Sequence, residues 1–178
     1  LRQRKQSAIA VAYPTVPRDH EDWPKLRLLQ NVTSGLAGTF FAELRGKRSL
    51  AYTVFAREAS RREAGVFVGY LATGTDKEAE ALEALVAEFG RLDEDGITPD
   101  DVERAKAYFA GTTRIGRQTN ASHVEELSQA WMLGLGLDAT DRLLGQIEAL
   151  SLEDVQGVAR RYLDGDNFTT AILSGRGE

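Results

Sequence analysis

Four segments of the chain carry the apolar and β-branched residues that are typical of β-strands. Residues 8–13, Ala-Ile-Ala-Val-Ala-Tyr, alternate small and larger apolar side chains and stop at Pro14, which predicts a strand covered on at least one face. Residues 50–57 and 66–72 are rich in aromatic and β-branched side chains, and a charged stretch joins them. They predict an antiparallel hairpin with a loop longer than a tight turn. Residues 168–173 predict a closing strand.

Elsewhere, apolar residues recur at three- and four-residue intervals, which predicts amphipathic helices. The first apolar stripe runs from Leu26 to Leu36, is interrupted near Gly35 and Gly38, and resumes through Phe41 to residue 46. Later helices are predicted over residues 76–94, from residue 99 onward, over 121–133, over 141–149 and from 151 to 162.

Capping patterns mark the starts of three of these helices. Thr75 and Glu78 have the spacing of a capping box, in which each side chain satisfies an otherwise unpaired backbone amide. Residues 98–101, Thr-Pro-Asp-Asp, place a capping hydroxyl, a proline at the first helical position and acids at the positive end of the helix dipole. Ser151 is expected to cap the last helix.

The helix over 121–133 carries Val124, Leu127 and Trp131 on one stripe, and we expect these side chains to face the core.

The order of elements predicts the fold class. The full order is β-α-β-β-α-α-α-α-α-β, without regular alternation, which predicts an α+β fold with a mainly antiparallel sheet and helices packed on one face. With no linker or internal repeat, residues 1–178 are expected to form a single domain.

Charge and composition exclude several classes of function. The net charge of −5 argues against a nucleic-acid surface, which needs a dominant basic stripe. The basic stretches at residues 2–5 and 57–62 are broken by polar or acidic neighbours, and we expect them to be solvated. The chain has no cysteine, so disulfides and a cysteine nucleophile are excluded. No apolar run approaches the ~18 residues of a membrane helix, so no membrane span is expected.

Residues for metal-dependent or serine hydrolysis are missing. The only two histidines are His20 and His123. Residues 123–127 read His-Val-Glu-Glu-Leu, and an inverted zinc-binding motif would need a second histidine where Leu127 stands. We therefore interpret both histidines as surface residues and expect no metal site in this chain. A Gly-x-Ser-x-Gly nucleophile motif is also absent.

Arg45 and Tyr52 form the one candidate site. A helix is predicted to end at Gly46 and a strand to begin near Ser49, so both side chains can project toward the same space. A guanidinium and a phenol together offer several hydrogen-bond donors to a carbonyl or carboxylate oxygen. In the structural alternative, Arg45 neutralises the negative end of the helix and Tyr52 packs in the core.

The sequence around this pair resembles a known family. The segment resembles the C-terminal, non-catalytic domains of the pitrilysin/insulinase superfamily of zinc peptidases, the inverted zincins. That superfamily also includes the mitochondrial processing peptidases and the core proteins of respiratory complex III. The likeness covers nearly all 178 residues. The residues that match the family pattern of this segment are Phe41, Glu43, Leu44, Arg45, Lys47, Arg48, Leu50, Ala51 and Tyr52.

The resemblance implies one half of a clamshell with the fold of a mitochondrial-processing-peptidase domain. An N-terminal half, in the same or a separate chain, would hold zinc, and this half would close over a peptide substrate. In the family an arginine and a tyrosine seven residues apart contact the substrate, and Arg45 and Tyr52 hold those positions. Glycine-rich sequence that often precedes the matching phenylalanine in the family is replaced here by residues 33–39, Thr-Ser-Gly-Leu-Ala-Gly-Thr.

Two functions remain open under this resemblance. The chain is either the substrate-binding half of a zinc endopeptidase, inactive alone, or a binding or scaffold subunit related to the complex III core proteins. The expected partners are the zinc-binding half and a peptide substrate. A second copy of this domain, forming a homodimer, is a further expected partner. The sequence leaves the compartment open, with the bacterial cytoplasm or periplasm as the expectation.

Overall fold

The computed structural model describes residues 5–92, 96–163 and 165–175, and the elements below lie within these ranges. The strands are β1 (Gln6–Thr15), β2 (Thr53–Glu58), β3 (Gly65–Gly74) and β4 (Thr169–Leu173). The α-helices are α1 (Trp23–Thr33), α2 (Glu78–Gly90), α3 (Pro99–Gly116), α4 (Asn120–Met132), α5 (Ala139–Ala149) and α6 (Leu152–Leu163). A π-helix covers Phe41–Lys47, and a 3₁₀ turn covers Thr75–Lys77.

The strands form one antiparallel sheet in the order β2-β3-β1-β4. Along β1 and β3, residues on one face are buried and those between them are half-buried. Opposed residues such as Ile9 and Leu71 share the buried, helix-covered face, whereas Phe55 and Tyr70 lie opposite each other on the open face. The predicted α+β fold, with an antiparallel sheet and helices on one face, is confirmed.

Phe89 on α2 is the centre of the core above the sheet. Its ring centroid lies 4.9 Å from that of Tyr13, 5.1 Å from that of Phe40 and 6.2 Å from that of Phe67. Below it, a Cβ atom on Gly69 would come within 2.7 Å of the Phe89 ring. The glycine therefore lets α2 approach the sheet closely at this point.

The first predicted helix is divided into two. The predicted interruption near Gly35 and Gly38 is confirmed, because α1 ends at Thr33 and the π-helix begins at Phe41. Gly35 has a φ of +86°, a left-handed conformation that favours glycine. Leu36, expected on the apolar stripe, is instead 81% exposed because it lies in this turn.

Two of the three predicted caps are confirmed. Thr98 and Asp101 form both hydrogen bonds of a capping box, and Ser151 exchanges the same pair of bonds with Asp154. The box predicted at Thr75 is wrong, because a 3₁₀ turn intervenes and α2 begins only at Glu78, without a side-chain cap. As described, α2 ends at Gly90, and the predicted helix end at residue 94 lies outside the described residues.

α4 presents the opposite face from the one we expected. Val124 is 64% exposed, Leu127 41% and Trp131 77%, so the expectation that they face the core is wrong. The helix is held by an ion-pair cluster, in which Arg117 after α3 binds Glu126 on α4 and Asp141 on α5. An amphipathic stripe reports only that a face is apolar, and here that face is directed to the outside of the described structure.

A left-handed residue closes the π-helix. The Arg48 amide donates to the Glu43 carbonyl oxygen at 3.1 Å, and the Leu50 amide donates to the Leu44 carbonyl oxygen at 2.9 Å. Between them Ser49 has a φ of +52°, which is the conformation that lets a chain leave a helix while its last carbonyls stay bonded. β2 was expected to begin near this residue, but it begins four residues later because the turn must first be completed.

Replacing the central aromatic ring is expected to be far more damaging than replacing an open-face ring. Phe89→Ala should lower the free energy of unfolding by about 3–5 kcal/mol, because it leaves a cavity among three aromatic rings. Phe55→Ala, the control, removes a ring that is 39% exposed and stacked on Tyr70, and should lower it by about 1 kcal/mol. Urea unfolding measures both, and equal losses would contradict the described core.

Substitutions at Ser49 test the left-handed turn. Ser49→Val should lower the free energy of unfolding by roughly 1–2 kcal/mol, because a β-branched residue is strained at positive φ. Ser49→Gly, the matched control, should raise it by about 0–1 kcal/mol, since glycine adopts this conformation without strain. The same unfolding experiment compares the two. A Val variant as stable as the Gly variant would show that residue 49 is not left-handed.

Candidate active-site surface

Burial of the neighbouring residue makes Arg45 point outward from the π-helix. Leu44 is completely buried in the core, and Phe41 packs against the same core. Arg45 follows Leu44 and is exposed. Its guanidinium carbon lies 5.1 Å from the centroid of the Phe41 ring, close enough for a cation–π contact. The Arg45 side chain therefore contacts the Phe41 ring on one side and is exposed on the other.

A charged network fixes the π-helix to α2. Glu43 bonds to Lys47 on its own helix and lies 3.5 Å from Arg91 at the end of α2. Arg91 also binds the buried Glu88 at 3.1 Å, and Arg48 reaches the same carboxylate at 3.8 Å. The Lys47 hydrogen bond is the largest influence on the pKa of Glu43, which is lowered, so this carboxylate stays charged at neutral pH.

The structure brings Arg45 and Tyr52 into contact. The Arg45 Nη1 donates to the main-chain carbonyl oxygen of Tyr52 at 2.8 Å. The Tyr52 side chain is 61% exposed, so it does not pack in the core as the structural alternative required. Although Tyr52 lies just before β2, its amide donates to the Ala72 carbonyl oxygen at 2.8 Å, which holds its backbone to the sheet.

This arrangement presents hydrogen-bond donors on a fixed backbone. The guanidinium has five N–H donors, and the bond to Tyr52 uses the Nη1 end. Within the described ranges the Tyr52 hydroxyl has no hydrogen-bond partner, so it is free to donate to a ligand. The Arg45 guanidinium and the Tyr52 phenol are therefore both exposed donors, on two segments that one hydrogen bond joins.

Two residues that the sequence did not identify cover the outer edge of β2. The Ser34 hydroxyl accepts from the Ala56 amide and donates to the Ala56 carbonyl oxygen, both at 2.7 Å. Gln30 Oε1 accepts from the Glu58 amide at 2.8 Å. These side chains pair the groups through which an edge strand otherwise recruits another strand. Ser34 lies in the segment that departs from the family's glycine-rich pattern, and that departure was the only signal in the sequence.

The histidines do not form a metal site in the part of the chain that the structure describes. His20 accepts a hydrogen bond from the Asp22 amide in the loop before α1, and His123 is exposed on α4. Among the described residues, no group of three or more histidine, cysteine, aspartate or glutamate side chains could hold a metal ion. In the same ranges, every helix is too short or too polar to cross a bilayer.

Comparison with known proteins gives the family. A family model described as "Peptidase M16 inactive domain" matches residues 1–109, which is more than half of the chain. The chain is 25% identical over 178 residues to an uncharacterized zinc protease, YmxG, of Bacillus subtilis, covering 99% of this chain and 43% of that protein. It is 25% identical over 157 residues to a protein of Helicobacter pylori described as a non-peptidase homolog, covering 88% of this chain and 36% of that protein.

Solved structures share the fold. A peptidase M16 inactive domain from Pseudomonas fluorescens superposes with a TM-score of 0.87 at 22% identity, over 96% of this chain and 41% of that one. An inactive peptidase domain from Bordetella parapertussis gives a TM-score of 0.88 at 19% identity, over 99% of this chain and 95% of that one. The chain spans 43% of the Bacillus subtilis relative and 36% of the Helicobacter pylori relative, and it belongs to the peptidase M16 family as its inactive domain.

Proposed function

We propose that this chain is the substrate-binding, zinc-free half of a zinc-dependent endopeptidase. Its family is that of the peptidase M16 inactive domain, and a relative of more than twice its length is described as a zinc protease. The length of that relative leaves room for a second half, in which zinc would be bound. Residues 1–178 then act as one domain, inactive alone, whether the two halves share a chain or not.

The exposed pair of Arg45 and Tyr52 is the observation that carries this proposal. Zinc in the partner half would polarise the scissile carbonyl and activate a water molecule. The role of this chain would be to hold the peptide. The Arg45 guanidinium and the Tyr52 phenol would donate hydrogen bonds to a peptide carbonyl oxygen and would stabilise the negative charge that develops on that oxygen. Leu44 and the link from Glu43 to Arg91 fix the π-helix, and the hydrogen bond from the Tyr52 amide to Ala72 fixes the start of β2. The backbone beneath both donors therefore needs little reorganisation when a peptide arrives.

Exposed apolar surface supports a partner half. On the open face of the sheet, Phe55 stacks on Tyr70 with ring centroids 4.9 Å apart and is 39% exposed. On the helical side, Trp131 is 77% exposed and Met132 is 75% exposed. Contiguous exposed apolar side chains are typical of surfaces that another protein covers. The zinc-binding half is the partner we propose, and a second copy of this domain is the alternative.

A binding or scaffold subunit without peptidase activity is the second candidate. The observation that favours it is the Helicobacter pylori relative, which is described as a non-peptidase homolog. In that case the same donors would hold a peptide without cutting it. The discriminating feature is a His-x-x-Glu-His motif in the other half, since an assembly that lacks it in both halves has no zinc site of this kind.

Substitutions of the pair should lower activity while zinc stays bound. In the complete zinc-containing protein, Arg45→Ala and Tyr52→Phe are each expected to lower kcat/KM by roughly 10- to 1,000-fold, as loss of a donor to a developing oxyanion does. Steady-state kinetics on a fluorogenic peptide, with zinc content measured for each variant, gives the test.

Matched controls separate this role from general damage. Tyr108→Phe changes a tyrosine that is also 61% exposed, and Arg62→Ala changes an exposed arginine in the β2–β3 loop. Both controls should keep the parent kinetics. Unchanged turnover in Arg45→Ala and Tyr52→Phe, with full zinc content, would refute the substrate role.

A further inference from the structure

A cleft on the helical side of the molecule lies apart from Arg45 and Tyr52. Its volume is about 750 Å³. The lining residues come from the loop before α1, the first turns of α1, the end of β2 and the loop after it, and from α3, α4 and α5. We call the α1 and β2 part the first wall and the α4 and α5 part the second wall. The Arg45–Tyr52 pair precedes β2, whereas this cleft is reached at the other end of that strand.

Arginine side chains dominate the first wall. Arg18 lies with its guanidinium carbon 3.9 Å from the centroid of the Trp23 ring, and the Trp23 Nε1 donates to Glu58 Oε2 at 2.9 Å. Arg27 donates to Gln30 at 2.9 Å. Two exposed arginines complete the wall at the end of β2 and in the loop that follows it; these are Arg57 and Arg61.

Two buried polar atoms of this wall have no partner. Glu58 is 6% exposed and lines the cleft, and its Oε1 makes no hydrogen bond. The Arg18 Nε is also buried without an acceptor. A buried donor and a buried acceptor that stay unpaired are costly, so a ligand that reaches them after a small movement of the wall would relieve that cost. The Arg18 Nε lacks a hydrogen-bond acceptor, and the Glu58 Oε1 lacks a hydrogen-bond donor.

The charge on this wall is also incompletely balanced. Burial lowers the pKa of Arg18 and of Arg27, and both guanidiniums remain charged at neutral pH. Glu58 is the nearby carboxylate that opposes this effect for both, while neighbouring arginines add to it. Glu58 is thus the buried carboxylate that the Arg18 and Arg27 guanidiniums share, and a further negative group beside these two guanidiniums would add to its effect.

The opposite wall makes a polyanion a poor fit. α4 contributes Glu125 and Glu126 together with the polar Ser122 and Gln129. A hydrogen bond from Arg117 lowers the pKa of Glu126 to about 2, so it stays ionised. The rim adds Asp19 and Glu21 near the first wall, and Arg142 with its partner Asp138 near the second. A ligand with several negative charges would therefore be repelled by the acids, whereas a single carboxylate against the arginines would not.

We infer that this cleft binds a peptide segment through one carboxylate, which faces Arg18 and Arg27, and through a backbone amide that donates to Glu58 Oε1. A peptide unit carries both a donor and an acceptor, which matches the two unpaired atoms. The hydroxyl and amide side chains of α4 can bond the remaining backbone groups. The inference deepens the proposed function, on whose peptide-binding role it rests, and places a second contact for the same class of ligand.

The test compares peptides on the unsubstituted 178-residue chain by isothermal titration calorimetry. The probes are acetylated tetra-alanine with a free C-terminal carboxylate, the same peptide as its C-terminal amide, and that amide with one alanine replaced by aspartate. The free acid, the aspartate peptide or both should bind at least tenfold more tightly than the neutral amide. Binding of the free acid alone assigns a C-terminal carboxylate, and binding of the aspartate peptide alone assigns an acidic side chain.

Variants locate the binding and separate it from the proposed function. Arg18→Gln and Arg27→Gln should each weaken carboxylate binding about tenfold, and Arg62→Gln, an exposed control outside the cleft, should not. Arg45→Ala should leave this binding unchanged, so the inference can stand if the role of Arg45 fails. Equal affinity for acid and amide, no binding of any peptide at millimolar concentration, or binding of inorganic phosphate in preference to the acids would overturn it.

Discussion

Burial of one face of the sheet under the helices is the constraint on which the rest of the structure depends. Side chains alternate along each strand, so covering one face of β1 and β3 leaves every second residue on the other. Phe89 reaches down from α2 to Tyr13 and Phe67, and Gly69 lets it do so. The π-helix joins the same core through Leu44, so the direction in which Arg45 leaves the surface follows from where the core lies.

Features that depend on neighbours in sequence could be predicted, and features that depend on distant packing could not. The strands could be predicted from the local pattern of side chains, and the capping boxes at Thr98 and Ser151 rest on hydrogen bonds between residues three apart. At Thr75 the same pattern failed, because a 3₁₀ turn competes for the same residues. The prediction for α4 failed for a different reason: an apolar stripe does not reveal whether it faces the core, and Trp131 lies on a face that is exposed in the described structure.

The same distinction between local and distant contacts applies to the candidate site. Arg45 and Tyr52 are seven residues apart, so a helix end followed by a strand is enough to predict that they lie close together. That the contact runs through the Tyr52 carbonyl oxygen could not be predicted, because it depends on the left-handed turn at Ser49. The approach of Arg18 and Arg27 to Glu58 gave no sequence signal, since it occurs only after α1 has docked on β2, and the basic stretch at residues 57–62 was expected only to be solvated.

The two proposed contacts are related through β2. Gln30 and Ser34 already bond the outer edge of this strand, so at Ala56 and Glu58 a peptide cannot be recruited as an additional strand. The recognition that we propose therefore uses side chains at the ends of the strand, with Arg45 and Tyr52 before it and the arginine wall after it. A strand of six residues extends roughly 20 Å. An extended peptide that touched both ends would need about six residues between its contacts, so a minimum length of peptide is the physical consequence of placing the two contacts on one rigid strand.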